Sequence, residues 1–431
     1  MTEDFLHYIW KFRLFNSTEL KTAGGQSLVI FQPGQHNFNG GPDFLNSRIK
    51  IGEETWSGHV EIHMRGSDWH RHGHTDDGHY KNVILHVVFN NDKEIFLTTP
   101  GDLPVMDMSN YMITDQWTHY EKWLQSKTWI PCQSQVPTVD QLTWTSWKDR
   151  LIIERLEQKS TAFNEQLKKT NGDWHETFYR RLARNFGFKV NADAMEMLAE
   201  SLPQQILARH RSDPLQVEAL LFGQAGFLDF DLHDEYPSDL KKEYSFLQKK
   251  YLLRPMNPAA WNFARMRPAN FPTIRLAQFA ALVCQAEHLF SQILETEDMR
   301  DILRLFEVEA HLYWSSHFRF DVPSIMETED FGKKGTKKMG RSSIENILVN
   351  TVVTALFHYG RVRSDEKYID KALKLLEICA PEDNRIVQNW SKLGIRAESA
   401  LDAQSLLQLY NLYCSEKRCL QCQVGLKLLK P

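Results

Sequence analysis

No run of apolar residues in this chain is long enough to cross a bilayer. The amino terminus, Met1-Thr2-Glu3-Asp4, is acidic and lacks the basic-then-apolar pattern of a secretory leader. A cytoplasmic protein without a membrane partner is the expectation. Cysteine is scarce, six in 431 residues, which excludes a disulfide framework. An excess of one charge is also missing. The formal net charge is −4, so the molecule as a whole is not a basic nucleic-acid binder, although local basic patches remain open. What the chain has is apolar content, 42% hydrophobic and 12% aromatic, enough for a substantial core over two or three domains.

It also has histidine, unevenly spread. Seven of 17 lie between His59 and His86. Around them run Gly41-Pro42-Asp43-Phe44, Trp56-Ser57-Gly58-His59-Val60-Glu61-Ile62-His63, Ser67-Asp68-Trp69-His70-Arg71-His72-Gly73-His74 and Val83-Ile84-Leu85-His86-Val87-Val88. Hydrophobic periodicity predicts a helix over residues 3–15. Strands are predicted over 28–31, 44–51, 59–64, 83–89 and 95–97. From about residue 138 the pattern becomes helical and strand signals end. The expected fold class is α+β: an N-terminal mixed α/β domain with a small sheet (1–137), then a large, mostly α-helical domain (138–431).

Glu61 and His63 stand two apart on one predicted strand, so both side chains point the same way. Asp43 precedes a neighbouring strand. Carboxylates meeting across paired strands suit Mg²⁺ or Mn²⁺, which can activate a bound water. The ordinary alternative makes Asp43 a turn residue after Gly-Gly-Pro, and Glu61 and His63 surface residues of a strand. The alternating His70, His72 and His74 offer a second possibility. His72 and His74 can ligate a transition metal, which opens the reading of a transition-metal hydrolase. The alternative is a polar connection. His86, in an apolar strand, reads as a core histidine.

The tail reads Cys414-x4-Cys419-x2-Cys422. Three thiols this close suggest zinc or an iron–sulfur cluster, with a fourth ligand from Cys132, Cys379 or a histidine. Otherwise the tail buries free thiols, as Cys132, Cys284 and Cys379 would do singly. In the helical part, Arg265, Arg267 and Arg275 interleave with Trp261, Phe263 and Phe271, a pattern that can grip phosphates and stack on bases. The basic, glycine-rich segment 331–341 contains Lys333 and Lys334 and leads into a helix marked by Ser342 and Ser343. Solvated turns are the alternative for both.

Pro42-Asp43 with Glu61-Ile62-His63 resembles the PD-(D/E)XK nuclease superfamily over about residues 1–100, with histidine in the lysine position. That resemblance implies a restriction-endonuclease-like sheet. It also implies metal ligands at Asp43 and Glu61, His63 in place of the catalytic lysine, and nucleic-acid phosphodiesters as substrate. Histidine titrates near neutrality, so it departs from the pattern's fixed positive charge. The four strings around the histidines, together with Cys419-Leu420-Gln421-Cys422 and Arg265-Met266-Arg267-Pro268-Ala269-Asn270-Phe271-Pro272, resemble an uncharacterised bacterial family, domain of unknown function 2851. That family implies no activity. A metal-dependent nuclease-like protein is the leading expectation. A non-enzymatic scaffold with a structural metal and a transition-metal hydrolase are the alternatives.

Overall fold

The computed structural model describes residues 1–92, 103–112, 114–229, 232, 234–320 and 336–430. The expected strand at 95–97 and the residues Lys333 and Lys334 lie outside them. The chain divides into two compact units, Met1–Trp147 with Leu409–Pro431, and Lys148–Gln408. Set against the expected 1–137 and 138–431, the change of unit falls within a long helix. The last two dozen residues group with the amino-terminal part.

The first unit opens with α1 (Glu3–Phe12), which buries Phe5, Leu6, Tyr8, Ile9 and Trp10 and ends at Arg13 in the left-handed region. Glu3 and Asp4 in the first turn and Lys11 in the last complement the helix dipole. A sheet follows, six-stranded among the described residues and built from β1 (Leu28–Gln32), β2 (Gln35–His36), β3 (Phe44–Ile51), β4 (Glu54–Arg65), β5 (Val83–Asn90) and β6 (Val105–Asp107). Its order is β1-β3-β4-β5-β6, with β2 also on β3. The β1–β3 and β3–β4 pairs are antiparallel; β4–β5 and β5–β6 are parallel. The sheet is therefore mixed, and with the helices that follow it the α+β class holds.

Two local features set the site. First, β3 and β4 join through the two-residue turn Gly52-Glu53, with Gly52 at φ +61°, so β4 returns directly alongside β3. The register pairs Phe44 with Val60, which brings Asp43 beside Glu61. Second, β5 runs parallel to β4. A parallel pair cannot be joined by a hairpin; the chain must travel back before it re-enters the sheet. Residues 66–82 make that return, through α2 (Asp68–Arg71) and a 3₁₀ turn at Gly78–Tyr80. This crossover is the histidine-rich segment. Trp69 anchors it in a small apolar cluster with Val83, Val88, Leu103 and Val105. Where β4 and β5 begin to pair, a Cβ on Gly58 would fall 2.4 Å from Ile84 Cγ2 and 2.6 Å from the Asn82 carbonyl, so the pairing there admits only glycine.

The alternative that made Glu61 and His63 surface residues of a strand is corrected. Val60 and Ile62 are buried, and so are Glu61 and His63 on the opposite face. The crossover covers that face, as strands in parallel pairs are usually covered on both sides.

The second unit is helical, around one large apolar core that includes Leu156, Phe186, Phe222, Phe279, Trp314 and Leu356. Prolines punctuate it. Pro214 and Pro272 open helices, and the Asp213 side chain caps the first of them by accepting the Leu215 N–H at 3.0 Å. The helix expected to start at Ser342 and Ser343 begins at Arg341 with Gly340 as its cap, so both serines sit inside its first turn. No helix among the described residues is long and apolar enough to cross a membrane.

Candidate metal centre

Asp43 and Glu61 hold each other through backbone. The Asp43 N–H donates to Glu61 Oε2 at 3.1 Å, and the Ile62 N–H donates to Asp43 Oδ2 at 2.9 Å. Each carboxylate thus spends one oxygen on the neighbouring strand. Asp43 Oδ2 also lies 3.3 Å from His7 Nε2, which α1 supplies. Glu61 Oε1 points the other way, 3.3 Å from His63 Nε2 and 3.2 Å from His74 Nε2.

The histidines close around that oxygen. His63 Nε2 is 3.2 Å from His72 Nδ1, and His63 Nδ1 is 2.8 Å from His86 Nε2. One ligand nitrogen each from His63, His72 and His74 can be chosen so that all lie within 4.8 Å of one another. The rings are braced from outside. His74 stacks on Tyr80 with centroids 3.8 Å apart, and Trp69 lies near His74 and His86. Glu61, His63 and His86 are 4%, 1% and 0% exposed, whereas His72 lies at the surface. The centre is therefore buried in the sheet and open on the His72 side.

Burial governs protonation here. It pushes the Glu61 carboxyl up to about 9, with the Asp43 charge adding to the rise. Burial also takes His63 down to about 3, helped by the charges of His74, His72, His7 and Arg71. His86 falls to about 3, through burial and then His63. His74 is lowered by burial and His72. For His7 burial works downward, but the bond to Asp43 and its charge prevail and raise it. Near neutral pH the Glu61–His63 approach therefore joins two neutral groups and is not an ion pair.

The donor set fits a divalent transition-metal ion. Glu61 Oε1 is approached by two ring nitrogens, and one of those is approached again by His72. A single ring proton cannot serve two neighbours, so lone pairs face one another in a dry place. A cation would satisfy them together. Three imidazoles beside a carboxylate, with one side open, is a donor pattern of zinc-type centres. If His63 Nε2 gives its lone pair to a metal, its Nδ1 carries the proton and donates to His86 Nε2, which fixes ring and tautomer.

Of the residues expected to form a site, Asp43, Glu61, His63, His72 and His74 come together. The two alternatives weighed separately in the sequence, an acid pair and a histidine pair, form one cluster. His86 is a core histidine, but it bonds to the cluster, and its Nδ1 has no partner among the described residues. Sequence reading missed His7, Tyr80 and Arg71. His7 lay among the apolar positions of α1, and only the fold shows that it reaches Asp43.

The other candidates lie elsewhere. Arg275 is buried in the helical unit. Its guanidinium stacks on Phe188 and donates to Gln278 at 3.0 Å, Asn270 at 2.7 Å and Ser343 at 3.2 Å. These partners hold the guanidinium within the fold. Arg265 and Arg267 sit just before the 3₁₀ turn Pro268–Asn270, with Arg265 in the left-handed region at φ +58°. Cys414, Cys419 and Cys422 are buried in the N-terminal unit.

Fold and centre together define a class: a mixed-sheet protein whose parallel crossover folds a histidine cluster over a pair of strand carboxylates. Within it, the chain belongs to the family described as Protein of unknown function (DUF2851), whose model matches residues 3–385. The match ends before the C-terminal cysteines. No curated protein and no solved structure matches the chain.

Proposed function

We propose that the N-terminal unit is a metal-dependent hydrolase acting on phosphodiesters, in the manner of a nuclease. The observation that carries this reading is the convergence of His63, His72 and His74 within 4.8 Å, with Glu61 against two of them. A bound transition metal at such a place supplies a water acidic enough to attack near neutral pH. The remaining work falls to this chain. Asp43 and Glu61 fix the cluster to the sheet. His86 orients His63. Trp69 and Tyr80 exclude solvent from the inner side.

Two features support a phosphodiester substrate. The order helix, strands bearing Asp43 and Glu61, crossover, parallel strand accords with the nuclease resemblance in the sequence. Arg71, paired with Asp68 at 3.0 Å but 67% exposed in its side chain, is carried on the same crossover as His72 and presents the outer edge of its guanidinium where an anionic substrate would enter. The mixed nitrogen–oxygen set favours Mn²⁺, Zn²⁺ or Fe²⁺ over Mg²⁺, which prefers oxygen alone.

The test is hydrolysis of bis(p-nitrophenyl) phosphate and of single-stranded DNA by metal-stripped protein given Mn²⁺, Zn²⁺ or Mg²⁺ in turn. Cleavage restored by a transition metal and lost in both Glu61→Gln and His74→Ala is expected. Equal cleavage by wild type and both variants would remove the proposal. The near-complete burial of Glu61 and His63 favours one other reading, a structural metal in a binding protein. In that case metal raises the melting temperature and no substrate is cut.

A further inference from the structure

The C-terminal thiols do not stand alone. Cys414, Cys419 and Cys422 are buried, Cys132 is buried as well, and none is paired in a disulfide. All four belong to the first compact unit, though 281 residues lie between Cys132 and Cys414. Specific contacts draw the two segments together. Lys417, between the cysteines of the tail, donates through Nζ to the Ser126 carbonyl at 3.1 Å and to that of Leu124. Trp129, three residues before Cys132, stacks on Tyr410 with centroids 4.9 Å apart. The Cys132 carbonyl accepts the Gln135 and Val136 N–H groups, which fold that cysteine into a tight turn.

The surroundings suit thiolate. The backbone N–H groups of Val424 and Gly425 are directed at the Cys422 thiol. Gly425 is pressed so close to Cys419 that a Cβ there would meet the Cys419 carbonyl oxygen at 2.2 Å. Donors aimed at sulfur stabilise a metal-bound thiolate. Without a metal the thiols are held neutral. Burial raises Cys132 and Cys419 to about 12, with Cys422 contributing to both and Cys132 to Cys419. Cys414 is raised by burial and then by the other three. The bonds of Lys417 and the stacking of Trp129 on Tyr410 set the turn that carries Cys132 against the tail that carries the other three thiols.

Spacing decides between metals. Zn–S bonds of ~2.3 Å put four sulfurs around one zinc ion ~3.8 Å apart. Among the described residues, the only three metal-binding side chains whose ligand atoms gather within 4.8 Å are His63, His72 and His74. No three of the thiols gather so tightly, which a cluster of several irons accommodates and a single zinc ion does not.

We propose that Cys132, Cys414, Cys419 and Cys422 ligate an iron–sulfur cluster that fastens the C-terminal segment to the N-terminal unit. The assignment is independent of the histidine centre and of any hydrolysis.

The test uses the full chain purified without oxygen or chelator, assayed for iron, zinc and acid-labile sulfide and by visible absorption. Expected are iron and sulfide in equal amounts with a broad charge-transfer band. Cys132→Ser and Cys422→Ser should each lose the sulfide and the band, and His72→Ala should keep both. Sulfide distinguishes the cluster from iron held by the histidines, and the wild-type assay stands even if a cysteine variant fails to fold. Zinc without sulfide would overturn the cluster, as would wild-type protein free of both metal and sulfide. Full sulfide in Cys132→Ser would overturn Cys132 as a ligand.

Discussion

In the helical unit a buried ionisable group is surrounded mainly by amides or by apolar side chains. Lys159 donates to Asn350 and Gln404, each at 2.9 Å, and burial takes it down to about 7. Glu218 is pushed up to about 8 by burial alone. In the N-terminal unit the buried ionisable groups touch one another: Asp43 to His7, Glu61 to His63 and His74, and His63 to His72 and His86. An isolated buried charge is a stability problem that the fold tolerates by neutralising it. A connected set of lone pairs is a binding site awaiting a cation. The difference separates a shifted pKa that reports packing from one that reports function.

The contrast can be broken most severely through activity. Glu61→Gln keeps the shape but weakens the acceptor, and metal-restored hydrolysis should fall by roughly 10²–10⁴-fold. Glu218→Gln, in the other unit, should leave the rate unchanged. A rate loss in the second variant as large as in the first would end the distinction. Next in size is the sheet. Gly58→Val drives side-chain atoms into Ile84 and the Asn82 carbonyl and should cost the N-terminal unit about 1–3 kcal/mol. Hydrogen exchange should then quicken in β4 and β5 while the helices of 148–408 keep their protection.

A smaller effect sharpens the comparison by pH. Glu218 stays protonated in the folded protein up to about pH 8, whereas in the unfolded chain it ionises near 4.5. Its stabilising contribution is complete below 4.5 and is lost as pH rises toward 8. Glu218→Gln removes that loss. Its melting temperature should match the parent's at pH 4 and exceed it by a few degrees at pH 8. A constant difference across that range would contradict the assignment. The smallest effect is expected at Arg71. Arg71→Ala should raise KM about tenfold, the scale of one charge-assisted contact, with kcat nearly unchanged.

Much of the site was legible because strand periodicity is. Glu61 and His63 share a face by the two-residue repeat alone, and Pro42-Asp43 marks a strand entry. What periodicity does not carry is direction. Nothing local in Val83–Asn90 tells whether it runs with or against β4, yet the parallel choice lays residues 66–82 over Glu61. That choice joins His72 and His74 to the acids, and the sequence left them as rival sites. Cys132 looked solitary for the same reason. Its neighbours lie at the far end of the chain, and chain spacing does not measure distance in space. In the helical part the change of periodicity was plain, but the place of Arg275 was not. A basic residue beside aromatics has the same pattern whether it faces solvent or, as here, the core.

The reciprocal bonds between Asp43 and Glu61 carry a further consequence. Both carboxylates occupy places where main-chain groups would ordinarily form rungs between β3 and β4, so each acid is part of the sheet's own ladder. A slip of one residue would turn every β3 side chain to the other face and remove both bonds at once. Correct pairing of β3 with β4 is therefore what joins Asp43 to the cluster carried by β4 and the crossover. A chain that mispairs here would keep Glu61 beside the histidines but lose the acid that fastens them to β3.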